Sequence, residues 1–231
     1  MAEINFGLSE FAAYMAAGAG SRRTQLTAKK FPKEEDKIPS QYYAPAVKLL
    51  RNYHVEGHKP EWLEFEAVSQ DAKALSATEG VSHEEKMKAK FKADRHGNFA
   101  RVLRAYKQYF SNKRYQVLEQ IDLPYSVGNV RISIRPDLHV IQGKTEKLIK
   151  LWCKDEKVTN RPKLLEIKVM TQLMLEAANM HGHLLSGSQI LFLDVEAGET
   201  HKGAKLGAHL GKDIIAECQA MEAVWPTLKK R

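Results

Sequence analysis

Apolar and polar residues alternate through residues 130–137, which is the period of a strand with one buried face. Turn-forming residues flank this predicted strand at Gly128-Asn129 and at Gln142-Gly143-Lys144. Glycine beside a polar residue is typical of a tight turn. The other predicted strands cover residues 115–125, 148–154 and 189–195.

Helical periodicity is clearest at residues 98–111, where Phe99 begins an apolar stripe at positions i, i+3, i+4, i+7 and i+11. Further helices are predicted at residues 1–17, 43–56, 60–77, 170–184 and 211–225. Residues 21–40 are polar and basic and include two prolines, so we expect a connection there. From residue 98 onward, the elements follow the order helix, three strands, helix, strand.

This order predicts an α+β protein with an αβββαβ core, in which helices flank a mixed sheet of about four strands. With 231 residues, 43% of them hydrophobic and 28% charged, the chain can bury a sizeable core. We expect residues 1–80 to form an N-terminal helical extension and residues 81–231 to form the αβββαβ core.

Membrane and secretory classes are not favoured by the sequence. No apolar run approaches the roughly 20 residues of a membrane span, and the apolar start is preceded by Glu3 rather than by basic residues. The two cysteines, Cys153 and Cys218, lie among apolar neighbours, which predicts buried reduced thiols. We therefore expect a cytoplasmic protein with no membrane contact.

Positive charge is concentrated in one segment of a chain whose formal net charge is +8. Residues 84–117 contain ten lysines and arginines against three acids, and such density suits a polyanion because basic side chains neutralise phosphates. Nucleic acid, with DNA favoured, is the predicted partner, and a solvated helix face is the alternative. The predicted contact residues are Arg95, Arg101, Arg104, Lys107, Lys113 and Arg114.

The candidate chemistry lies in a Pro-Asp pair, Pro136-Asp137, and a Glu-x-Lys triplet, Glu166-Ile167-Lys168. Metal-dependent phosphodiester hydrolysis needs carboxylates to hold a cation and a lysine to orient water or stabilise phosphoryl charge. The predicted catalytic residues are Asp137, Glu166 and Lys168. Of these, Asp137 and Glu166 would bind Mg²⁺ or Mn²⁺.

Residues 163–169 fit either a strand or the start of a helix. In a strand, Glu166 and Lys168 share one face. In a helix, Glu166 would lie within an apolar arc, where an unpaired carboxylate is costly to bury. Pro162 after two capping residues favours the helix, and the hairpin at Gly143 would then place Trp152-Cys153-Lys154 opposite Asp137. The sequence leaves both alternatives open.

The Pro-Asp pair followed by Glu-x-Lys resembles the PD-(D/E)xK nuclease superfamily, whose core is αβββαβ. The segments RPDL, IKLWCK, LDVEAGE and YYAPAVKLLR are also similar to a group of uncharacterised bacterial proteins, which implies a nuclease-like fold with a degenerate site. Helix 98–111, where the superfamily often supplies its first acid, contains no carboxylate. We expect a Mg²⁺-dependent DNA phosphodiesterase or an inactive, cofactor-free relative that binds DNA or a protein.

Residues 181–183 form the sequence His-Gly-His. Neighbouring residues supply no cysteine or aspartate to complete a zinc site, so a helix-end loop is the expected structure.

Overall fold

Two mixed sheets with helices packed on them form an α+β fold, the class predicted from the sequence. The computed structural model describes residues 3–32, 42–55, 62–153, 161–203 and 208–230. The helices are α1 (Leu8–Ala16), α2 (Ala19–Lys30), α3 (Ala44–Val55), α4 (Trp62–Ala77), α5 (His83–Phe110), α6 (Leu164–Met180) and α7 (Ala208–Val224). The strands are β1 (Ile4–Gly7), β2 (Gln116–Val117), β3 (Tyr125–Val127), β4 (Val130–Ser133), β5 (Leu138–Gln142), β6 (Thr145–Trp152), β7 (Ile190–Asp194) and β8 (Glu199–Lys202). Within these ranges no helix combines the length and apolar character that a membrane span requires.

The larger sheet has five strands in the order β2-β5-β6-β7-β8. Strands β5 and β6 form an antiparallel hairpin at the predicted turn, where Gly143 has a φ of +67°. That left-handed conformation favours glycine. Strands β6 and β7 are parallel, so the chain has to cross over between them, and α6 lies in this connection.

The smaller sheet has three strands in the order β1-β4-β3. The single strand predicted over residues 130–137 is wrong, because β4 ends at Ser133 and Asp137 lies beside β5 in the other sheet. Pro136 explains the break, since proline has no N–H to donate to a ladder and restricts the residue before it. The strand predicted at 115–125 is also interrupted, with β2 and β3 at its two ends.

The N-terminal segment contributes a strand as well as helices. Strand β1 pairs in parallel with β4, so the helix predicted at residues 1–17 begins only at Leu8. The connection predicted at residues 21–40 is wrong over its first half, because α2 occupies all of residues 21–30. Leu26 is the one buried residue of α2, which explains the missing apolar periodicity. Arg22 anchors α2 by donating hydrogen bonds to the carbonyls of Ala17 and Met15. Residues 33–41 lie outside the described ranges, and the division at residue 80 stays a prediction.

Hydrophobic clusters cover both faces of the larger sheet. Leu148 and Phe192 pack on one face with residues of α1, α6 and α7. Ile149 and Leu191 pack on the other face with residues of α3 and α5. Successive residues of a strand point to opposite faces, and each fully buried large apolar side chain contributes about 1.5–3 kcal/mol relative to exposure. The sheet is therefore stabilised from both sides.

Candidate functional site

Asp137 lies immediately before β5 and opposite Lys150 of β6. The Nζ atom of Lys150 is 2.9 Å from Oδ2 of Asp137, and the two side chains are 19% and 17% exposed. The backbone N–H of Leu151 donates to the same oxygen at 2.7 Å. The backbone N–H of Asp137 donates to the carbonyl of Ile149 at 2.9 Å. Asp137 is thus held at the end of the hairpin by an ion pair and backbone hydrogen bonds.

Glu166 and Lys168 lie in the first turns of α6. The strand alternative for residues 163–169 is therefore wrong, and the helix alternative is correct. Glu166 is half-buried and Lys168 is exposed. Because Leu164 and Leu165 are also exposed, the first turn projects from the core, so the carboxylate is not forced among apolar side chains. Its position at the helix start is favourable, since the helix dipole is positive there.

The three predicted catalytic residues are not joined by hydrogen bonds or ion pairs in the described part of the chain, and the metal site at Asp137 and Glu166 stays a prediction. The neighbours of the Asp137 carboxylate there are an ammonium group and a backbone N–H. No hydrogen bond or ion pair joins it to Glu166 or Lys168. Mg²⁺ and Mn²⁺ prefer several oxygen ligands. The described partners of the Asp137 carboxylate, an ammonium group and a backbone N–H, supply no second oxygen ligand for either ion.

The alternative triplet at residues 152–154 is described only at its first two residues. Trp152 ends β6, Cys153 is buried, and Lys154 lies outside the described ranges. Burial, reinforced by the charge of Asp137, raises the pKa of the Cys153 thiol well above its usual range. A thiol that stays protonated is neither a nucleophile nor a metal ligand.

The predicted basic face is interrupted in the middle of α5. Arg101 forms an ion pair with Glu196, which follows β7, and Arg104 forms an ion pair with Glu66 of α4. Arg95 lies over the ring of Phe99, with 5.5 Å between its guanidinium carbon and the ring centroid. Arg101 and Arg104 therefore link α5 to neighbouring parts of the fold, and Arg95 packs on a ring of its own helix and on the ring of Tyr42.

Exposed basic residues remain on both sides of this interruption. Lys107 and Arg114 are exposed at one end, and Lys113 is half-buried. At the other end, Lys88, Lys90, Phe91 and Lys92 are all exposed, and we call these four residues the basic tip. The basic tip lies within the basic segment predicted from the sequence, but none of its four residues is among the predicted contact residues.

A third group, which the sequence did not predict, brings together His139 of β5, Glu146 of β6 and His183 after α6. We call it the His–Glu cluster. Oε1 of Glu146 is 2.8 Å from Nε2 of His139 and 2.8 Å from Nδ1 of His183. Nδ1 of His139 is also 2.8 Å from the carbonyl oxygen of Glu119. Burial alone would raise the pKa of Glu146, but the two histidines outweigh it and hold that pKa below its usual value.

Part of the His–Glu cluster is encoded in the hairpin register. His139 pairs with Leu148 and Ile141 pairs with Glu146, so His139 and Glu146 are diagonal neighbours on one face. The two-residue turn at Gly143-Lys144 determines this register. The helix-end loop expected at residues 181–183 is confirmed. The packing of α6 on the sheet brings His183 of this loop next to His139 and Glu146, and no local sequence pattern encodes that packing.

Comparison of the chain with family models, curated proteins and solved structures finds no match.

Proposed function

We propose that this protein binds nucleic acid through the basic tip of α5 and is a non-catalytic relative of the PD-(D/E)xK nucleases. The observation that carries the proposal is the exposure of Lys88, Lys90 and Lys92 near one end of a long helix. The arginines in the middle of the same helix are held in intramolecular contacts.

The charge of the basic tip favours a polyanion. Across the described ranges, Lys90 and Lys92 form no ion pair, and Lys88 pairs with Glu84 of the same helix at 2.5 Å. An exposed pair of this kind contributes less than about 1 kcal/mol, so a phosphate can replace the glutamate at small cost. Each phosphate that a lysine neutralises also releases condensed counterions, which drives binding at low salt.

Apolar residues on the basic tip favour unpaired bases. Phe91 is 62% exposed between Lys90 and Lys92, and Met87, one helical turn earlier, is 54% exposed. An exposed aromatic ring beside lysines is the arrangement that binds single strands, where base stacking contributes about 1–3 kcal/mol per base. Single-stranded DNA is therefore the class of ligand that we propose.

In this proposal Asp137 and Lys150 form a structural ion pair, and the protein needs neither Mg²⁺ nor Mn²⁺. The cytoplasmic location expected from the sequence belongs to the same proposal. It is supported by Cys153 and Cys218, which are both free and buried. If no nucleic acid binds, the alternative to infer is a protein partner.

Fluorescence anisotropy with labelled single-stranded and duplex DNA of equal length tests the proposal. We expect tighter binding to the single strand, with the logarithm of the association constant falling linearly with the logarithm of salt concentration. Neutralising three phosphates on a single strand gives a slope of about −2. No binding at about 50 mM salt, or binding that salt does not weaken, would contradict the proposal.

A further inference from the structure

We propose that His139, Glu146 and His183 form a binding site for Zn²⁺ or a chemically similar divalent transition-metal ion. This site lies on the larger sheet and at the end of α6. It is independent of the basic tip, so it does not rest on the proposed nucleic-acid binding.

The donor atoms have the type and spacing that zinc requires. Two imidazole nitrogens and one carboxylate oxygen lie within 4.8 Å of one another, and these are standard zinc ligands. With metal–ligand bonds of about 2.0–2.1 Å in tetrahedral geometry, ligand atoms are about 3.3 Å apart. The 2.8 Å contacts to Glu146 would have to open by only about 0.5 Å.

The hydrogen bonds of His139 supply an independent argument. The Glu119 carbonyl can only accept, so the Nδ1 of His139 next to it carries a proton. In a neutral ring, Nε2 then directs a lone pair at Oε1 of Glu146, which as a carboxylate oxygen also only accepts. The contact is attractive only if the ring carries a second proton or a cation lies between the two atoms.

The Glu119 carbonyl also matches the surroundings of known metal-binding histidines. Such a histidine usually donates its second ring N–H to a carbonyl or carboxylate, which fixes the tautomer and orients the ring. His139 is 9% exposed, whereas the side chains of Glu146 and His183 are 31% and 28% exposed. The cluster is therefore anchored on its His139 side and open to solvent on the other.

The proposed zinc site differs from the Mg²⁺ site predicted at Asp137 in the type of its ligand atoms. Imidazole nitrogens suit Zn²⁺ and related transition metals, whereas Mg²⁺ prefers oxygen ligands and retains its water. Three protein ligands leave a fourth zinc position for water, as in zinc sites that remain open. We therefore expect selective binding of Zn²⁺ over Mg²⁺.

Isothermal titration calorimetry with ZnCl₂ tests the site, using full-length protein without a histidine tag after removal of metal by a chelator. We expect one Zn²⁺ per chain in the wild type, and visible absorption bands of a low-coordinate complex when Co²⁺ replaces it. His183→Ala and Glu146→Gln should each weaken binding at least about tenfold. Circular dichroism melting curves show whether each variant is folded.

The matched control is His181→Ala, which removes an exposed histidine from the same loop. His181 contacts the carbonyl of Pro124 rather than Glu146, so its loss should leave Zn²⁺ affinity unchanged. Absence of Zn²⁺ binding would overturn the proposal. Binding that survives both His183→Ala and Glu146→Gln, or that weakens equally in His181→Ala, would also overturn it.

Discussion

The ammonium of Lys150 lies 2.9 Å from the carboxylate of Asp137, and the two residues face each other across the β5–β6 ladder. The motif predicted from the sequence places a Glu-x-Lys triplet on the strand opposite the Pro-Asp pair. Here that strand presents a lysine to the aspartate, and Glu166 lies on a helix instead. The pair therefore neutralises the carboxylate that the sequence motif singled out.

Removing only the lysine of this ion pair should destabilise the fold. Lys150→Ala leaves a largely buried carboxylate with the Leu151 N–H as its described hydrogen-bond donor, which we expect to cost about 1–3 kcal/mol. The double variant Asp137→Asn/Lys150→Met removes both charges and should be less destabilised than Lys150→Ala. Urea unfolding measures both values, and equal stability of wild type and Lys150→Ala would contradict a structural ion pair.

Wild-type protein should not cleave single-stranded or duplex DNA with Mg²⁺ or Mn²⁺. Lys168→Ala should change the free energy of unfolding by no more than about 0.5 kcal/mol, because it alters an exposed helix position. A gel assay with supercoiled plasmid detects single nicks. Cleavage by wild type that is lost in both Asp137→Asn and Lys168→Ala would restore the catalytic interpretation.

Arg101 and Arg104 should differ in their effects on stability. The Arg101 side chain is 26% exposed beside Glu196, whereas that of Arg104 is 57% exposed beside Glu66. We expect Arg101→Ala to cost about 1–3 kcal/mol, since a partly buried charge loses its partner, and Arg104→Ala to cost less than about 1 kcal/mol. Thermal melting measures the stability of both variants. Equal losses of stability in Arg101→Ala and Arg104→Ala would show that burial does not determine the strength of these ion pairs.

Both cysteines should be inert in the folded protein. Burial raises the pKa of Cys218 from 9.0 to about 12 and raises that of Cys153 further. Since the unfolded thiols ionise first, their contribution to stability is complete below about pH 9 and is lost as the pH rises. Ellman's reagent at about pH 8 should modify them only after denaturation, and rapid modification of native protein would contradict their burial.

The sequence predicts those parts of the fold in which local pattern and tertiary packing agree. The hairpin at Gly143 and the apolar stripe of α5 follow from turn chemistry and periodicity, and both are confirmed. Helix α2 could not be predicted in this way, because Leu26 is its one buried residue. It is stabilised by contacts of Arg22 to a preceding turn and to Glu217, which no local pattern reveals.

The candidate sites also depend on tertiary packing that the sequence pattern does not reveal. The strand hypothesis for Glu166 depended on a burial cost that disappears once Leu164 and Leu165 are exposed. The basic segment was correctly identified as charged, but charge counting does not reveal that Arg101 and Arg104 pair with distant acids. His183 lies 37 residues from Glu146, so only the packed fold brings the His–Glu cluster together.

The most direct test compares DNA affinity in two triple charge reversals that change the net charge equally. The first changes the lysines of the basic tip, as Lys88→Glu, Lys90→Glu and Lys92→Glu. The control changes exposed lysines elsewhere, as Lys144→Glu, Lys168→Glu and Lys212→Glu.

Anisotropy at about 0.15 M salt, where the Debye length is about 8 Å, limits the influence of distant charges. We predict that the basic-tip variant loses at least about 100-fold in affinity for single-stranded DNA. The control should stay within about threefold of wild type. Equal losses in the two variants would mean that net charge alone drives binding and would contradict a binding site on α5.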